Sequence, residues 1–600
     1  MKRKTLFHRF SRKLAMIILT GALLLSGCAS SGNTTAETGS AASETSKETQ
    51  VQSNSYGSAA ASAQVTTLDV SDMFSDRDLK TEYEEKDCVL ITLNGKEATC
   101  ESSAVSVEDG VIVIKEAGSY ILRGSYQGSI RVEAPEDAKV QLILDGAELK
   151  AEATAAIYGK TADKIFLTMS EGSSNVIKNT GEFQAIDENN IDGAIYSKCD
   201  LTLNGNGKLT VSSEKGHGIV SKDDLKITSG TYEITAGDHG ISGKDSIRIA
   251  DGTINITSTE DGLHSGNDED ADKGYVYVAN GNITISAGDD GIHGETKVVI
   301  GGGTINITKS NEGIEGAILE IAGGDISVVA NDDGLNVSDG SGTESFGPGG
   351  FGGFGQNNST SGNTADIYVL ITGGRIVVDA QGDGIDANGA LYVKGGEIYV
   401  TGPENNGNGA LDYDSTGEIT GGSLIAIGAS GMSMNFSNAT QGSALITTSS
   451  THKAGEKVVL TDSDSNEILS VTATRGFNSV VVSSPLMKQG GTYTLTIGSE
   501  TQTFTLEQLI YGQSQGFGGF GGGQRPGRPD GENGQGDGQR PEGGGRTRPG
   551  NGEGFDGNFE GMPQMPEGFD GNFEGMPQMP GGSGGRPGND QQGSEEDSGT

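Results

Sequence analysis

Residues 239–263 read HGISGKDSIRIADGTINITSTEDGL, and residues 290–314 read DGIHGETKVVIGGGTINITKSNEGI. Both stretches place a Gly-Ile step and two pairs of aliphatic residues at the same offsets. A glycine followed by Ile or Leu recurs at Gly218, Gly240, Gly262, Gly291, Gly313, Gly334 and Gly384. Most intervals are 21 or 22 residues, and the two longer ones contain insertions at 267–274 and 338–366. The chain therefore carries an internal repeat of about 22 residues.

The aliphatic residues within each repeat unit come in pairs two positions apart. Side chains two apart in a strand lie on the same face, so each pair predicts a short strand with one buried face. Glycine pairs such as 302–303 and 395–396 predict corners where the backbone turns tightly. One unit cannot bury its inward side chains alone, whereas stacked units share a continuous core. The repeat therefore predicts an all-β fold, a parallel β-solenoid.

The regular pattern weakens towards both ends of the chain. The solenoid is expected over residues 65–429, with irregular early coils in 65–192. Residues 430–510 change to ordinary alternating strands, which predicts a small β cap over the open end of the solenoid. Residues 511–600 are rich in Gly, Pro, Gln and Asp, and this composition predicts a disordered, low-complexity tail.

The charge and composition exclude several classes of protein. The chain has 600 residues, with 41 Lys and Arg against 82 Asp and Glu, a formal net charge of −41. Nucleic acid is excluded as a partner because a phosphate backbone needs a basic surface. The 99 glycines follow no G-X-Y period, so collagen is excluded as well. Hydrophobic residues make up 33% of the chain, which favours one elongated body, and we expect a monomer.

The N-terminus has the pattern of a secretion signal. A basic start, MKRKTLFHRFSRK, precedes a short apolar run that ends in Leu25-Ser26-Gly27-Cys28. The run is too short to span a bilayer. The pattern resembles that of bacterial lipoproteins and implies a signal peptide at 1–27 with lipidation of Cys28, the alternative being a chance cysteine. Residues 28–64 predict a flexible tether. We therefore expect a lipid-anchored protein on the extracellular face of the bacterial cell envelope.

Three cysteines remain beyond Cys28. Cys88 and Cys100 flank a strand pattern and an Asn94-Gly95 turn, and a hairpin there would bring their strands side by side. A disulfide between them is therefore possible but not required. Cys199 has no obvious partner, and we interpret it as a small packed residue.

The residue before the repeat glycine is acidic in five coils, as Asp261, Asp290, Glu312, Asp333 and Asp383. Stacked coils would align these carboxylates ~4.8 Å apart, where neighbouring charges repel by nearly ~1 kcal/mol even in bulk water. Calcium would relieve this repulsion, since it accepts several oxygen ligands in loose geometry. Further acids lie beside this column, at Asp289, Asp332, Asp386 and Asp412. The alternative is that Asp-Gly pairs serve only as turn residues.

A second acidic pattern lies in the shorter insertion. Asp268, Asp270 and Asp272 are spaced two apart and could turn three carboxylates towards one calcium ion. The pattern departs from an EF-hand, because Lys273 stands where that loop needs a glycine. It remains a candidate calcium site of another type.

Four histidines also lie beside the repeat glycines, as His217, His239, His264 and His293. No cysteine at zinc-site spacing and no nucleophile motif accompanies them. We interpret them as a ladder of stacked imidazoles, with a zinc or catalytic role as the alternative.

Several short segments resemble the clostridial-type carbohydrate-binding β-helix proteins, once classed as a domain of unknown function. They are AIYS at 194–197, DLTLNG at 200–205, GIVSKDDL at 218–225, GNGALDY at 407–413 and VVSSP at 481–485. The resemblance runs from about residue 69 to about residue 509. It implies a right-handed parallel β-helix, polysaccharide lyase-like in architecture, that carries calcium and binds polygalacturonate and cellulose. It does not transfer individual ligand positions.

We expect a non-catalytic surface protein that binds acidic polysaccharide through calcium. Bound calcium would bridge a protein of charge −41 to a polymer that is itself a polycarboxylate. Candidate sugar contacts are Tyr275, Tyr392, Asp412 and Tyr413, although tyrosine also suits outward strand positions. One alternative is a calcium-dependent pectate-type lyase with Lys or Arg as the base, but no basic cluster stands beside the acidic column. Another is an adhesin or spacer rod.

Overall fold

The computed structural model describes residues 70–184, 187–338, 367–512 and 514. Within these ranges the α-helix Asp76–Leu79 and the 3-10 helix Glu85–Asp87 are followed almost entirely by strands. None of the helices there is long and apolar enough to cross a membrane. The expected signal peptide, Cys28, the tether, the Gly-rich insertion after residue 338 and the tail beyond 514 lie outside the described residues.

The strands form a parallel β-solenoid, as the repeat predicts, and regular coils contribute one strand to each of three faces. The first face begins with an antiparallel pair and is parallel thereafter. Its thirteen strands are Val105–Glu108, Val111–Ile114, Ser129–Glu133, Ile157–Thr161, Gly193–Ser197, His217–Ser221, Ile241–Gly243, Leu263–Ser265, Ile292–Gly294, Ile314–Gly316, Leu335–Val337, Ile385–Ala387 and Asp412–Tyr413.

The second and third faces belong to one larger sheet. The second face contains Lys164–Met169, Asp200–Gly205, Asp224–Ile227, Ser246–Ile249, Tyr275–Val278, Lys297–Ile300, Ile318–Ile321 and Tyr368–Ile371. The third contains Ser174–Asn179, Lys208–Ser213, Thr231–Ala236, Thr253–Thr257, Asn282–Ser286, Thr304–Lys309, Asp325–Ala330 and Arg375–Ala380. Four long strands run through both faces, namely Gly118–Gln127, Lys139–Ala151, Ala390–Thr401 and Thr416–Gly428. The hairpin of Val89–Gly95 and Glu97–Thr99 adds to the N-terminal end.

The aliphatic pairs of the repeat point inward, as predicted. In one coil Ile241, Ile247, Ile249 and Ile254 are fully buried and Ile256 is 3% exposed. Their equivalents in neighbouring coils join them in one continuous apolar cluster. The second glycine of each corner pair has the predicted positive φ, for example 90° at Gly303.

The glycine of each Gly-Ile step lies against the backbone of the next coil. A Cβ atom on Gly240 would stand 2.7 Å from the carbonyl oxygen of Gly262, and one on Gly262 would stand 2.6 Å from that of Gly291. Contacts this short are not found for real Cβ atoms. The repeat glycine is therefore required by close stacking of the coils.

The solenoid gives way to a different arrangement after Thr416–Gly428. The strands Asn438–Ala439, Gly442–His452, Phe477–Ser484 and Ile510–Tyr511 join the end of the large sheet. A separate antiparallel sheet contains Lys457–Thr461, Glu467–Thr472, Thr492–Ile497 and Glu500–Thr505. These strands have their own apolar cluster around Phe477 and Leu495. This is the C-terminal β cap predicted from the change in strand pattern.

The possible disulfide does not form. The predicted hairpin is present, with Asn94 opposite Glu97 and Thr92 opposite Thr99. Continuing this register puts Cys100 opposite Ile91, so Cys88 is three residues or ~10 Å farther along the strand. A disulfide needs Cα atoms within about 7 Å. Both cysteines are free, and Cys199 is free and buried.

Residues 70–83 form a strap across the outer side of the second face. Asp78 is fully buried, and its carboxylate lies 2.7 Å from Lys164 Nζ. It also accepts a hydrogen bond from Thr202 Oγ1 at 2.8 Å. Burial by itself would raise the pKa of Asp78, but hydrogen bonds from Lys164 and Ser75 hold it well below its ordinary value. The strap is therefore fixed to the solenoid by a buried ion pair.

We expect Asp78→Ala to lower the free energy of unfolding by about 3 kcal/mol, because it leaves the buried Lys164 ammonium with only its longer contact to Asp200, at 3.5 Å. Urea denaturation of both proteins measures the difference. Asp76→Ala is the control, since Asp76 is an exposed acid in the same short helix and should change stability by less than about 1 kcal/mol. Equal effects of the two substitutions would show that the buried pair does not hold the strap.

Candidate functional site

The residues flanking the Gly-Ile steps form two adjacent columns at the corner between the third and first faces. In a unit such as Asp261-Gly262-Leu263-His264, the first residue belongs to one column and the fourth to the other. The first column contains His217, His239, Asp261, Asp290, Glu312, Asp333 and Asp383, and the second contains His264, His293, Glu315, Asn336, Asp386 and Asp412. We call the two columns together the polar ladder.

Main-chain hydrogen bonds hold the first column in register. The N–H of Gly240 donates to the carbonyl of Asp261, and that of Gly262 donates to the carbonyl of Asp290. The carboxylates reach the next coil too, since Asp261 Oδ1 accepts the Asp290 N–H at 2.9 Å and Asp383 Oδ1 accepts the Gly409 N–H at 2.5 Å. The acids before the repeat glycines therefore follow one another from coil to coil.

The N-terminal end of the ladder carries the histidines. Their ring centroids lie 5.1 Å apart for His217 and His239, 4.1 Å for His239 and His264, and 5.2 Å for His264 and His293. The rings are stacked, as the sequence predicts. Carboxylates contact the ring nitrogens at the edge of the stack, with His264 Nδ1 2.6 Å from Asp261 Oδ2. We call this part the histidine end.

The C-terminal part of the ladder, which we call the acid end, contains oxygen ligands alone. Carboxylate oxygens of Asp333, Asp383 and Asp386 lie within 4.8 Å of one another. A neighbouring group of the same compactness contains Asp290, Glu312 and Glu315, next to His293. Three or more oxygen ligands at this spacing are the donor set that calcium prefers.

The acid end is crowded with negative charge. Burial and then the charge of Asp333 raise the pKa of Asp386 to about 8, and burial likewise raises that of Asp383 to about 7. Burial and the charge of Glu315 raise the pKa of Glu312 to about 8. These shifts arise because each carboxylate is costly to ionise where water is scarce and like charges are close. A divalent cation would offset that cost.

Asn336 adds an unpaired oxygen to the same region. Its side chain is 7% exposed, and its Nδ2 donates to Glu312 Oε2 at 2.7 Å. Its Oδ1 is buried and accepts no hydrogen bond. A buried carbonyl oxygen without a donor costs free energy, and a metal ion is one way to satisfy it.

The other candidate metal ligands lie outside the compact groups of the polar ladder. Asp289 and Asp332 are exposed beside the ladder, and Asp268, Asp270 and Asp272 are exposed in their loop. The compact groups of possible ligands in the described residues contain none of these five. Asp270 Oδ1 accepts the Asp272 N–H at 3.1 Å, so it stabilises the loop itself. A calcium site in that loop stays a prediction.

The candidate sugar contacts are also separated. Asp412 lies beside Asp386 in the second column. Tyr413 is buried and donates to the Asn435 carbonyl, and Tyr275 is buried against Met73 of the strap. Tyr392 is half-buried, with Tyr368 at 6.3 Å between ring centroids. Of the three tyrosines, Tyr392 has the ring that a sugar could reach.

The second column contains residues that sequence reasoning missed. Glu315 and Asn336 occupy the fourth position of their units, two residues after the repeat glycine. The sequence contains a signal for this column, because the fourth position is polar in consecutive units from His264 to Asp386, as His, His, Glu, Asn and Asp. Only the register of the coils shows that it lies beside the first column.

Comparison with known proteins identifies the family of the chain. Residues 108–407, half of the chain, match a family model described as "Carbohydrate-binding domain-containing protein". A relative of the same description from Acetivibrio thermocellus is 33% identical over 135 residues, which cover 22% of this chain and 47% of the relative. The match thus spans less than half of that relative's length.

A solved structure is also similar, titled "Structure of the polysaccharide lyase-like protein from C. thermocellum, Gadolinium derivative". It is 30% identical and covers 42% of this chain and 97% of its own, with a TM-score of 0.36. The match of the family model over half of the chain confirms the resemblance seen in the sequence motifs. The chain belongs to the family of carbohydrate-binding domain-containing proteins.

Proposed function

We propose that this protein binds acidic polysaccharide through calcium ions held at the acid end of the polar ladder. The observation that carries the proposal is the compact group of Asp333, Asp383 and Asp386 beside the unpaired Asn336 oxygen. Among the described residues, the ion pairs of Lys and Arg involve neither Asp383 nor Asp386. Calcium is the natural partner for such a group, because it takes six to eight hard oxygen ligands.

Calcium would also offset the charge repulsion between the protein and an acidic polysaccharide. A chain of net charge −41 repels a polymer of uronates unless cations lie between them. An ion held by three carboxylates keeps coordination positions that sugar carboxylate and hydroxyl oxygens can fill. The signal and lipobox pattern at 1–28 supports a site of action at the bacterial cell surface, with the lipid on Cys28.

A pull-down onto insoluble polygalacturonate, with cellulose in parallel, tests the proposal. We expect binding in calcium that is lost in chelator. Asp383→Asn should weaken it by about tenfold or more, because one of three carboxylate ligands becomes neutral. Asp268→Asn is the matched control, since it removes an exposed acid of the loop site.

Other outcomes would assign other functions. Undiminished binding in chelator would overturn the calcium bridge. Loss in Asp268→Asn but not in Asp383→Asn would move the site to the loop. Release of unsaturated uronates, read by ultraviolet absorbance, would assign a lyase. Failure with every polysaccharide would favour the spacer rod.

A further inference from the structure

The strap at residues 70–83 covers cationic and aromatic side chains on the second face of the solenoid. Lys164 and Lys226 lie beneath it, with side chains 9% and 10% exposed. The aromatic residues that it contacts are Phe166, Tyr275 and Tyr277, and all three are buried. Ammonium groups pair with carboxylates, and aromatic rings offer flat apolar faces to sugar rings. The surface under the strap therefore suits an acidic sugar.

The strap places a carboxylate of its own on the two lysines. Residues 72–79 read DMFSDRDL and contain three aspartates. Carboxylate oxygens of Asp78 lie 2.7 Å from Lys164 Nζ and 3.4 Å from Lys226 Nζ. Burial and then the charge of Lys164 lower the pKa of Lys226, so its ammonium depends on nearby negative charge. Asp78 thus lies where the carboxylate of a bound sugar would lie.

Contacts that involve side chains hold the strap in place. Among the described residues, no main-chain hydrogen bond joins residues 72–83 to the solenoid. Met73 packs against Tyr275, and the rings of Phe74 and Tyr277 lie 6.2 Å apart between centroids. A segment without main-chain pairing opens at a lower free-energy cost than a strand within a sheet. The strap is therefore a part of the fold that a ligand could displace.

The strap also leaves space beneath it. A cavity of about 360 Å³ lies between the strap and the second face. Its lining includes Phe74 of the strap, together with Phe166 and Lys226 of the solenoid. A sugar ring could enter this cavity beside the strap and begin to replace it.

We propose that the second face beneath the strap is a second binding site for acidic polysaccharide, which the strap occupies as a built-in ligand. A uronate carboxylate takes the place of Asp78 on Lys164 and Lys226, and sugar rings take the place of the strap on the aromatic residues. Because ammonium groups make the ionic contacts, binding here needs no calcium. The choice of polymer rests on the proposed function, but the site is a different one. The fraction of molecules with an open strap sets the apparent affinity.

Asp78→Ala tests the site, because it loosens the strap and leaves both lysines in place. In a pull-down with chelator, we expect the full-length variant to bind polygalacturonate about tenfold or more better than the wild type, since more molecules have an open strap. Adding Lys164→Gln and Lys226→Gln should remove that binding. Asp76→Ala is the matched control, because it removes an exposed acid of the same short helix and should bind as weakly as the wild type.

A tryptophan in the strap reports its displacement in a protein that keeps Asp78. The chain contains no tryptophan, so Phe74→Trp gives a single emission signal from the strap. With calcium present, we expect excess polygalacturonate to shift this emission to longer wavelength as the indole becomes exposed to water. Dextran, a neutral polymer, should leave the emission unchanged.

The outcomes separate this inference from the calcium proposal. Thermal melting checks that each variant is folded, and Met73→Ser, which loosens the apolar end of the strap, replaces Asp78→Ala if that variant does not fold. The inference is refuted if the loosened variant binds no better than the wild type in chelator, if binding persists without the two lysines, or if the emission of Phe74→Trp does not respond to polygalacturonate. Chelator-resistant binding by Asp78→Ala, with no calcium-dependent binding by the wild type, would refute the calcium proposal alone.

Discussion

Gly384→Ala is expected to destabilise the solenoid by about 4 kcal/mol or more, a large fraction of the roughly 5–15 kcal/mol by which folded domains are stable. An added Cβ would overlap Val400 Cγ1 and stand 2.5 Å from the Ala410 carbonyl oxygen. The carbonyl belongs to the main chain of the next coil, where it accepts the Ile385 N–H. It cannot move away without breaking the parallel pairing of the coils. Chemical denaturation, or the soluble yield if no folded protein is obtained, measures the effect.

Gly301→Ala is the matched control for this substitution. Gly301 also lies within a repeat unit, but an added Cβ there would have its nearest heavy atom at 3.5 Å, an ordinary contact. Its backbone lies outside the left-handed region, so alanine should be neutral or slightly stabilising. If the two variants unfold at the same denaturant concentration, close stacking of the coils is not the reason for the repeat glycine.

The glycines show what a single sequence can and cannot predict. The corner glycines are predictable, because a Gly-Gly pair between two strands needs only local geometry, and Gly303 has the expected positive φ. The requirement for Gly384 depends on an atom of Ala410, in the next coil. Periodicity shows that glycine recurs at this position. Only the stacked backbone shows the reason, which is that a side chain there would collide with the next coil.

The same distinction separates the predicted and missed parts of the site. The acids of the first column recur before a glycine, so their alignment follows from the repeat. Glu315 and Asn336 were missed because their importance depends on lying beside that column. The burial of Tyr275 depends on the strap, which has no repeat and contacts it from far away in the sequence.

Without divalent ions, the protein is expected to lose stability as the pH rises from about 6.5 to about 8. Asp383 has a pKa of about 7, and Glu312 and Asp386 have pKa values of about 8, all raised first by burial. The same carboxyls have pKa values of about 4 in the unfolded chain. In this interval the folded state therefore binds more protons, and raising the pH favours unfolding. Each additional proton held by the folded state lowers the free energy of unfolding by about 1.4 kcal/mol per pH unit. Two or three such protons therefore lower it by about 4 kcal/mol across this interval.

Two histidines, His217 and His239, act in the opposite direction at lower pH, because burial lowers the pKa of each. Burial lowers the pKa of His239 to about 4, so it favours folding as the pH rises from about 4 to about 6.5. His293 adds to the decline above that interval, because contacts with Asp290 and Glu315 outweigh burial and raise its pKa to about 11. The decline should therefore be clearest above pH 6.5. Urea denaturation at several pH values in chelator measures it.

Calcium should remove the part of this decline that comes from Asp383 and Asp386, because the ion replaces the protons that these carboxyls would otherwise retain. The double variant Asp383→Asn/Asp386→Asn separates this explanation from the view that the acids serve only as turn residues. With two crowded charges removed, it should be more stable than the wild type at pH 8 in chelator and gain less stability from calcium. Acids with only a turn role would give the variant the pH profile and calcium response of the wild type. That result would remove the physical reason for a metal at this end of the ladder.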